Sequence, residues 1–535
     1  MDVDPVTLEV VRNAATAVCA EMNATLVRTS YSPNIKERKD CSCALFDADG
    51  ALVAQAENLP VHLGAMPFSV AAALDAFPPE TLSPGDAVLL NDPYEGGAHL
   101  PDLTLVTPVF VDGDLVALSA NRAHHADVGG ATAGSVGADS TEIYQEGLRI
   151  PPVKLRAGGE PNRAVYDLIE RNVRTPEERR GDLRAQVAAN ETGADRVREL
   201  VGRYGTDTYR ASLSAIQAYS ERRIRAELDA FPDGEYRFED VLDGDGRGAT
   251  DLPIVATVTV EGDSVSIDYA GSADQTAGPV NAVLAVTVSA TYYAVRAVTD
   301  PDIPPNAGCY RPIAVDAPSG SITDAVLGAF AEAVPARAAA AGQGTMNNVT
   351  FGGTDDDGDP FAFYETQAGG FGAHADGDGM DAVHVHMSNT LNTPAEVLET
   401  AYPLRVRKYA LRPDTGGAGR HRGGLGLRRD IEVLTDATCS LLADRQRNAP
   451  YGLAGGGTGA KGETYLLTGG EDADREPIAG KSTHDLEAGD VISLRTPGGG
   501  GYGDPGDRDS GAVRRDLRLG KLSTDAAREA YDYED

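Results

Sequence analysis

The chain has 535 residues, with 82 Asp and Glu against 47 Lys and Arg and a formal charge of -35 at neutral pH. This length exceeds what one hydrophobic core usually serves, so two or more substructures are expected, and the charge excludes nucleic acid and anionic membrane as partners because both would be repelled. The acidic excess runs along the whole chain and reads as a halophilic surface, solvated and screened at high salt.

The five cysteines, at 19, 41, 43, 309 and 439, are too scattered for a disulfide framework. Asp2, Asp4 and Glu9 stand where a secretory leader would be positive, and the longest apolar run, VLAVTVSATYYAV, is too short and too hydroxylated to span a bilayer. A soluble, cytoplasmic protein is expected.

In chain order, PVTLEVVRNAATAVCAEMNATLV has helical apolar spacing behind an Asp-Pro start. CALFDADGALVAQA predicts two strands around a DADG turn, in which Cys41 and Cys43 share one buried face. A helix is expected near Met66 to Phe77, then a strand in GDAVLLNDP that runs into the loop NDPYEGGAHLPD. LTLVTPVFVDGDLVALSANRAHH predicts a hairpin turning at Asp112-Gly113. From about Ala164 to Phe231 the chain is helical. Strands return in YRFEDVL and PIVATVTVEGDSVSIDYAG, helices around Val280 to Val298 and in ITDAVLGAFAEAV, and Gly-punctuated short strands from Tyr402 onward. Residues 508–535 read as an exposed acidic helical tail.

The hairpin serves as a ruler. A two-residue turn at Asp112-Gly113 makes cross-strand partners sum to about 225, which sets Asp102 opposite His124 or its neighbour. His99, three residues before Asp102 on a Gly-softened loop, can fold over to complete a set of two imidazoles and one carboxylate, the chemistry of an open, catalytic divalent metal site. Alternation alone does not say which of His124 and His125 points inward.

His384-x-His386 would put two imidazoles on one face of a strand, for substrate contacts, a second metal or buried polar structure. The runs GGLGL, GGGTG and PGGGGYGDP lack the GxxxxGK[ST] pattern and read as tight β turns. The cationic RVRKY and GRHRGGLGLRR suit phosphate or carboxylate, or plain ion pairing. No serine-nucleophile signature has supporting context.

The runs YSPNIKERKDCSCALFDADG, PVHLGAMP, NDPYEGGAHLPDLTLVTPVF, HHADVGG, STEIYQEGLRIPPVKL, GTMNNVTFGG, NTLNTPAEVLE, LRPDTGGAGRHRGGLGLRRD and TPGGGGYGDP resemble the hydantoinase B/oxoprolinase family, up to about Pro505. The resemblance implies a subunit that acts beside a hydantoinase A-type partner, which uses ATP and Mg to phosphorylate a substrate carbonyl. This chain would then open a cyclic lactam or imide of the N-methylhydantoin or 5-oxoproline type by hydrolysis. The alternative is a subunit of an acetone carboxylase-like, ATP-dependent ketone carboxylase. In those carboxylases a His-x-x-Asp pair and a downstream His hold manganese, and the matching residues are His99, Asp102 and His124; zinc or iron would suit the same donors.

Asp127, Glu142 and Glu146 are candidates for proton transfer, and His62, His125, His384 and His386 for substrate contacts. The expected fold is α+β, a large mixed multi-layer fold with an N-terminal metal-binding β-hairpin region (1–160), a central helical segment (161–232), a mixed α/β part (233–400) and a β-rich C-terminal part (401–505), followed by an acidic tail (506–535). Two departures stand out. A segment usual in the family is missing where Ser321 passes to Ile322, and GGFGAH puts His374 where the family carries Arg.

Overall fold

A computed structural model describes residues 3–56, 59–317, 323–472 and 475–534. The junction at Ser321 and Ile322 lies outside the described residues.

The first elements are α1 (Pro5–Thr29), α2 (Pro33–Lys36), β1 (Cys41–Asp47), β2 (Leu52–Gln55), α3 (Pro60–Ala76), β3 (Ala87–Leu90), β4 (Asp102–Val111) and β5 (Asp114–His124). They continue with β6 (Val153–Ala157), β7 (Glu160–Pro161), α4 (Arg163–Glu170), α5 (Pro176–Tyr204) and α6 (Thr206–Leu228). Helix α3 begins six residues before the expected Met66, at Pro60. Pro67 lies inside it, a residue that normally reads as a helix boundary.

The seven strands form an antiparallel sheet in the order β2-β1-β5-β4-β3-β6-β7. Strand alternation assigns its faces. Cys41, Cys43 and Leu45 pack with Val11, Val18 and Met22 of α1 and with α5 and α6, whereas Ala44 and Phe46 pack with Met66 and Val70 of α3. The cysteines are free and buried, as ordinary small core residues.

Beyond α6, strands Gly234–Gly244, Thr250–Glu261, Ser264–Asp268 and Ile313–Asp316 make a second sheet that packs against helices Leu284–Ala297 and Thr323–Ala333. Two further sheets, of four and five strands, lie in the C-terminal part. They share one core, in which Phe351, Phe363 and Cys439 of one sheet meet Ile431, Ile492 and Leu494 of the other. The fold is mixed, with several sheets and helices, as expected.

Three expectations are corrected. The glycine runs are packing devices more than turns. Gly498 to Gly501 thread among other backbones so closely that a Cβ would meet Thr415 O at 1.8 Å, Phe371 O at 2.0 Å, Tyr451 O at 1.9 Å and Ala418 O at 2.1 Å. Their amides bond to Ala460, Gly424, Ala341 and Gly457, so side-chain-free backbone replaces side-chain packing there. His384 and His386 lie in a loop instead of a strand, and His386 has a left-handed φ of 52°, so the two rings share no face. The C-terminal residues are helical but not free: Arg508 reaches Asp378 and buried Asp516, and Asp516 also meets Arg422. The cationic run is likewise engaged, Arg405 and Arg407 with Glu432, Arg428 with Asp430, and buried Arg429 with Glu365. Among the described residues no helix is long and apolar enough to cross a membrane.

Candidate metal centre

A bulge at Val109/Phe110 shifts the hairpin register by one, so that Asp102 pairs directly with His124. On the strand ends beyond the bulge, even-numbered residues of β4 and of β5 from Leu118 onward, among them Asp102, Thr104, Arg122 and His124, share the sheet face that looks toward α3. Arg122 shows it by donating to Thr104 Oγ1 at 2.8 Å and to Ser69 Oγ of α3 at 2.7 Å.

The loop from Asn91 to Pro101 brings His99 back over this face. Asn91 clamps it, donating to Leu100 O at 2.6 Å and Leu148 O at 2.9 Å while accepting from Ile150 N at 2.6 Å. Asp92 caps the turn through Tyr94 N. Gly96 takes φ 86°, and a Cβ there would lie 2.4 Å from Phe68 O; Ser69 Oγ holds the Gly96 carbonyl at 2.6 Å. The crowded turn formers of this loop therefore aim one side chain.

His99 Nδ1 lies 3.2 Å from Asp102 Oδ2, His124 Nδ1 3.2 Å from Asp102 Oδ1, and His99 Nε2 3.0 Å from His124 Nδ1. One ligand atom from each residue falls within 4.8 Å of the others. Asp102 Oδ2 and His124 Nε2 are buried without a hydrogen bond. Two imidazoles, one carboxylate and unsatisfied buried donor atoms fit a divalent cation. His99 keeps 41 % of its side chain exposed, so the trio opens to solvent on that side, while Asp102 is fully buried.

The surroundings fix this geometry. Behind Asp102, His62 Nε2 lies 3.4 Å from its Oδ1 and 3.8 Å from Asp40 Oδ1. Asn34 holds His124 O, Asp40 O accepts from His124 N, and the Tyr364 ring stacks on His124 at 4.5 Å. Burial alone would raise the Asp102 carboxyl, but the charges of His99 and His62 outweigh it and hold it well below the usual range. Burial works against a charged His99, yet Asp102 raises its imidazole; burial lowers that of His124.

A family model for hydantoinase B/oxoprolinase matches residues 4–505. The chain belongs to the hydantoinase B/oxoprolinase family. It is 33 % identical to the putative B component of a D-/L-hydantoinase of Pseudomonas sp. (strain NS671), over 99 % of this chain and 95 % of that protein. It is 37 % identical to 5-oxoprolinase 1 of Arabidopsis thaliana over 94 % of this chain, which spans only 42 % of that longer protein. An ATP-dependent caprolactamase from Pseudomonas jessenii has the same fold, with TM-score 0.91 and 30 % identity over 99 % of this chain and 96 % of that one. Acetone carboxylase in its nucleotide-free structure shares the fold at TM-score 0.88 and 20 % identity, over 99 % and 79 % of the two chains.

The other candidates of this family member fall into distinct places. His125, on the opposite sheet face from His124, is fully buried and bonds Gln186 of α5 at 3.0 Å. His62 is also buried and serves Asp102 instead of an open cavity. The two oxygens of Asp127 accept from the Gly129, Gly134 and Arg174 amides and the Arg174 guanidinium, which makes it a loop anchor. Glu142 is exposed at the start of the Ile143–Gln145 turn. Burial raises the Glu146 carboxyl, and the charge of His99 opposes that rise. His384 bonds Thr390 at 3.3 Å and His386 bonds Asp324 at 2.9 Å. Asp40 and Tyr364 were missed: Asp40 stands inside the family motif ERKDCSC, but nothing local marks Tyr364, which arrives from another sheet.

Proposed function

We propose that this chain is the ring-opening subunit of an ATP-dependent hydantoinase or 5-oxoprolinase, acting on a cyclic lactam or imide after an A-type partner has phosphorylated the carbonyl. The meeting of His99, Asp102 and His124 on one open face carries this reading; the family and the names of its relatives supply the reaction class. These residues would hold a divalent cation, manganese foremost with zinc or iron as alternatives, which supplies Lewis-acid stabilisation of charge developing on the substrate.

The chain's own groups have separable parts. Asp102 stays ionised because His99 and His62 flank it. Tyr364 shields the His124 ring, and His99 is the member open to solvent. Glu146, raised by burial, is fitted to take the proton from water as its oxygen bonds to the activated carbon, and to return a proton to the ring nitrogen as the C–N bond breaks; the acyl phosphate so formed is then cleaved by a second water, which releases phosphate and the ring-opened acid.

The test is metal content and ATP-dependent ring opening of the two-component complex after His99→Ala and Asp102→Ala. Both should fall together, and unchanged occupancy in both variants would remove the trio. ATP consumption that depends on bicarbonate would favour the ketone carboxylase reading instead.

A further inference from the structure

Arg122 is fully buried in the sheet, two residues before His124, and among the described residues no carboxylate stands at ion-pair distance from it; the charge of Asp102 acts on it from farther away. Its Nη1 makes no hydrogen bond. A buried charge without a partner in contact is costly, and an apolar side chain of similar volume would fill the same space at less cost. Stability alone therefore gives no reason for a guanidinium here. Its two side-chain contacts do give one.

These contacts join the three segments that carry the trio. Nε donates to Thr104 Oγ1 at 2.8 Å, and Thr104 is the direct cross-strand partner of Arg122, two residues after Asp102 on β4. Nη2 donates to Ser69 Oγ of α3 at 2.7 Å, and Ser69 Oγ in turn donates to Gly96 O at 2.6 Å, three residues before His99. One planar group thus fastens the strand of His124 both to the strand of Asp102 and to the loop of His99.

The donors run in one direction. A guanidinium has no acceptor, so it occupies a lone pair of Ser69 Oγ and leaves the hydroxyl proton for Gly96 O. Freed of that donor, a helical serine commonly turns its proton back to the carbonyl four residues earlier, here Ala65 O. Hydrogen bonds in series also polarise and strengthen one another. The far end is equally constrained, since Gly96 lies so close to α3 at φ 86° that a Cβ would meet Phe68 O at 2.4 Å.

We propose that Arg122 is the positioning residue of the trio: through Thr104 and Ser69 it sets where His99, on its loop, stands relative to Asp102 and His124 on the sheet, and it is not itself a ligand. The proposal rests on the trio as the metal centre. The fastening of the loop by Ser69 does not.

Mn titration of the full chain after chelation, with hydrogen exchange of the loop amides, tests this. Ser69→Ala should weaken Mn binding about tenfold, the loss of one buried hydrogen bond, and should speed exchange at residues 94–100 of the chelated protein, where no metal contributes. In a His99→Ala background the same change should alter Mn affinity by less than about twofold, because a group that acts through His99 has nothing left to position. Arg122→Met, which removes every donor, and Arg122→Lys, which keeps the charge but replaces the fork by a single nitrogen, should both loosen the loop and weaken Mn binding. Where Arg122→Met does not fold, Arg122→Lys and the cycle on Ser69 and His99 decide the matter. Losses that simply add in that cycle, loop exchange unchanged in Ser69→Ala, or parental Mn affinity and loop exchange in Arg122→Lys would each overturn the proposal. Unchanged Mn binding in His99→Ala would strike the trio and the proposal with it, whereas a loss in His99→Ala with none in Ser69→Ala would overturn the positioning alone.

Discussion

Asp102 and His62 meet at 3.4 Å in the dry interior, where His62 stands between Asp102 and Asp40 and touches no open surface. A buried imidazole in that position orients a ligand carboxylate, and partners of this kind are usually worth 10- to 100-fold in metal affinity. His62→Gln is therefore expected to weaken Mn binding by about that factor, measured by titration of the chelated protein. His125→Gln, one residue from a proposed ligand but on the other face, should lower stability and leave Mn affinity within about twofold. Equal losses of affinity in both variants would contradict the parity of the strand.

That parity marks the boundary of what the residues disclose on their own. The Asp112-Gly113 turn made the pairing of Asp102 with His124 legible, because a hairpin register is a local property. The bulge at Val109/Phe110 was not legible, and it is what converts a sum of about 225 into the observed pair. Tyr364 and Asp324 reach their imidazole partners from chain segments more than 60 residues away, with no periodicity to announce them. The glycine runs misled for a related reason: composition identifies a residue without a side chain, not whether a turn or a neighbouring backbone requires it.

The glycine bundle should be intolerant of a single methyl. In Gly499→Ala the new carbon would lie 2.0 Å from Phe371 O, a backbone atom that no side-chain rotation can move. Overpacking of this kind is expected to cost at least about 3 kcal/mol. Gly113→Ala, where a Cβ meets nothing within 4 Å but φ is 91°, should cost less, through backbone strain alone. Chemical denaturation of the two variants gives the order.

His384 sets a pH dependence of stability. Burial pushes its imidazole down to about 4, helped by Arg38 and opposed by Glu365 and Asp40. The folded pKa lies below the unfolded value of about 6.5, so unfolding takes up a proton as the pH falls between them. The contribution is present in full above about pH 6.5 and shrinks toward pH 4, by on the order of 3 kcal/mol in total. Urea denaturation across that window should show a shallower decline for His384→Gln than for the parent, and parallel curves would count against a buried neutral imidazole.

Glu146 and Asp127 are both among the candidates for proton transfer, and their surroundings separate them. Asp127 spends both oxygens on amides and Arg174, so Asp127→Asn should loosen the loop that it anchors and act mainly on thermal stability. Glu146 keeps a carboxyl raised by burial within the field of His99. Glu146→Gln preserves its shape but removes the exchangeable proton, and should lower kcat by roughly 10²- to 10⁴-fold with Mn content and melting temperature unchanged. The same variant should flatten the pH profile of kcat on the side where the parent's carboxyl loses its proton. A kcat that falls only in proportion to lost metal would assign Glu146 to holding the site together instead.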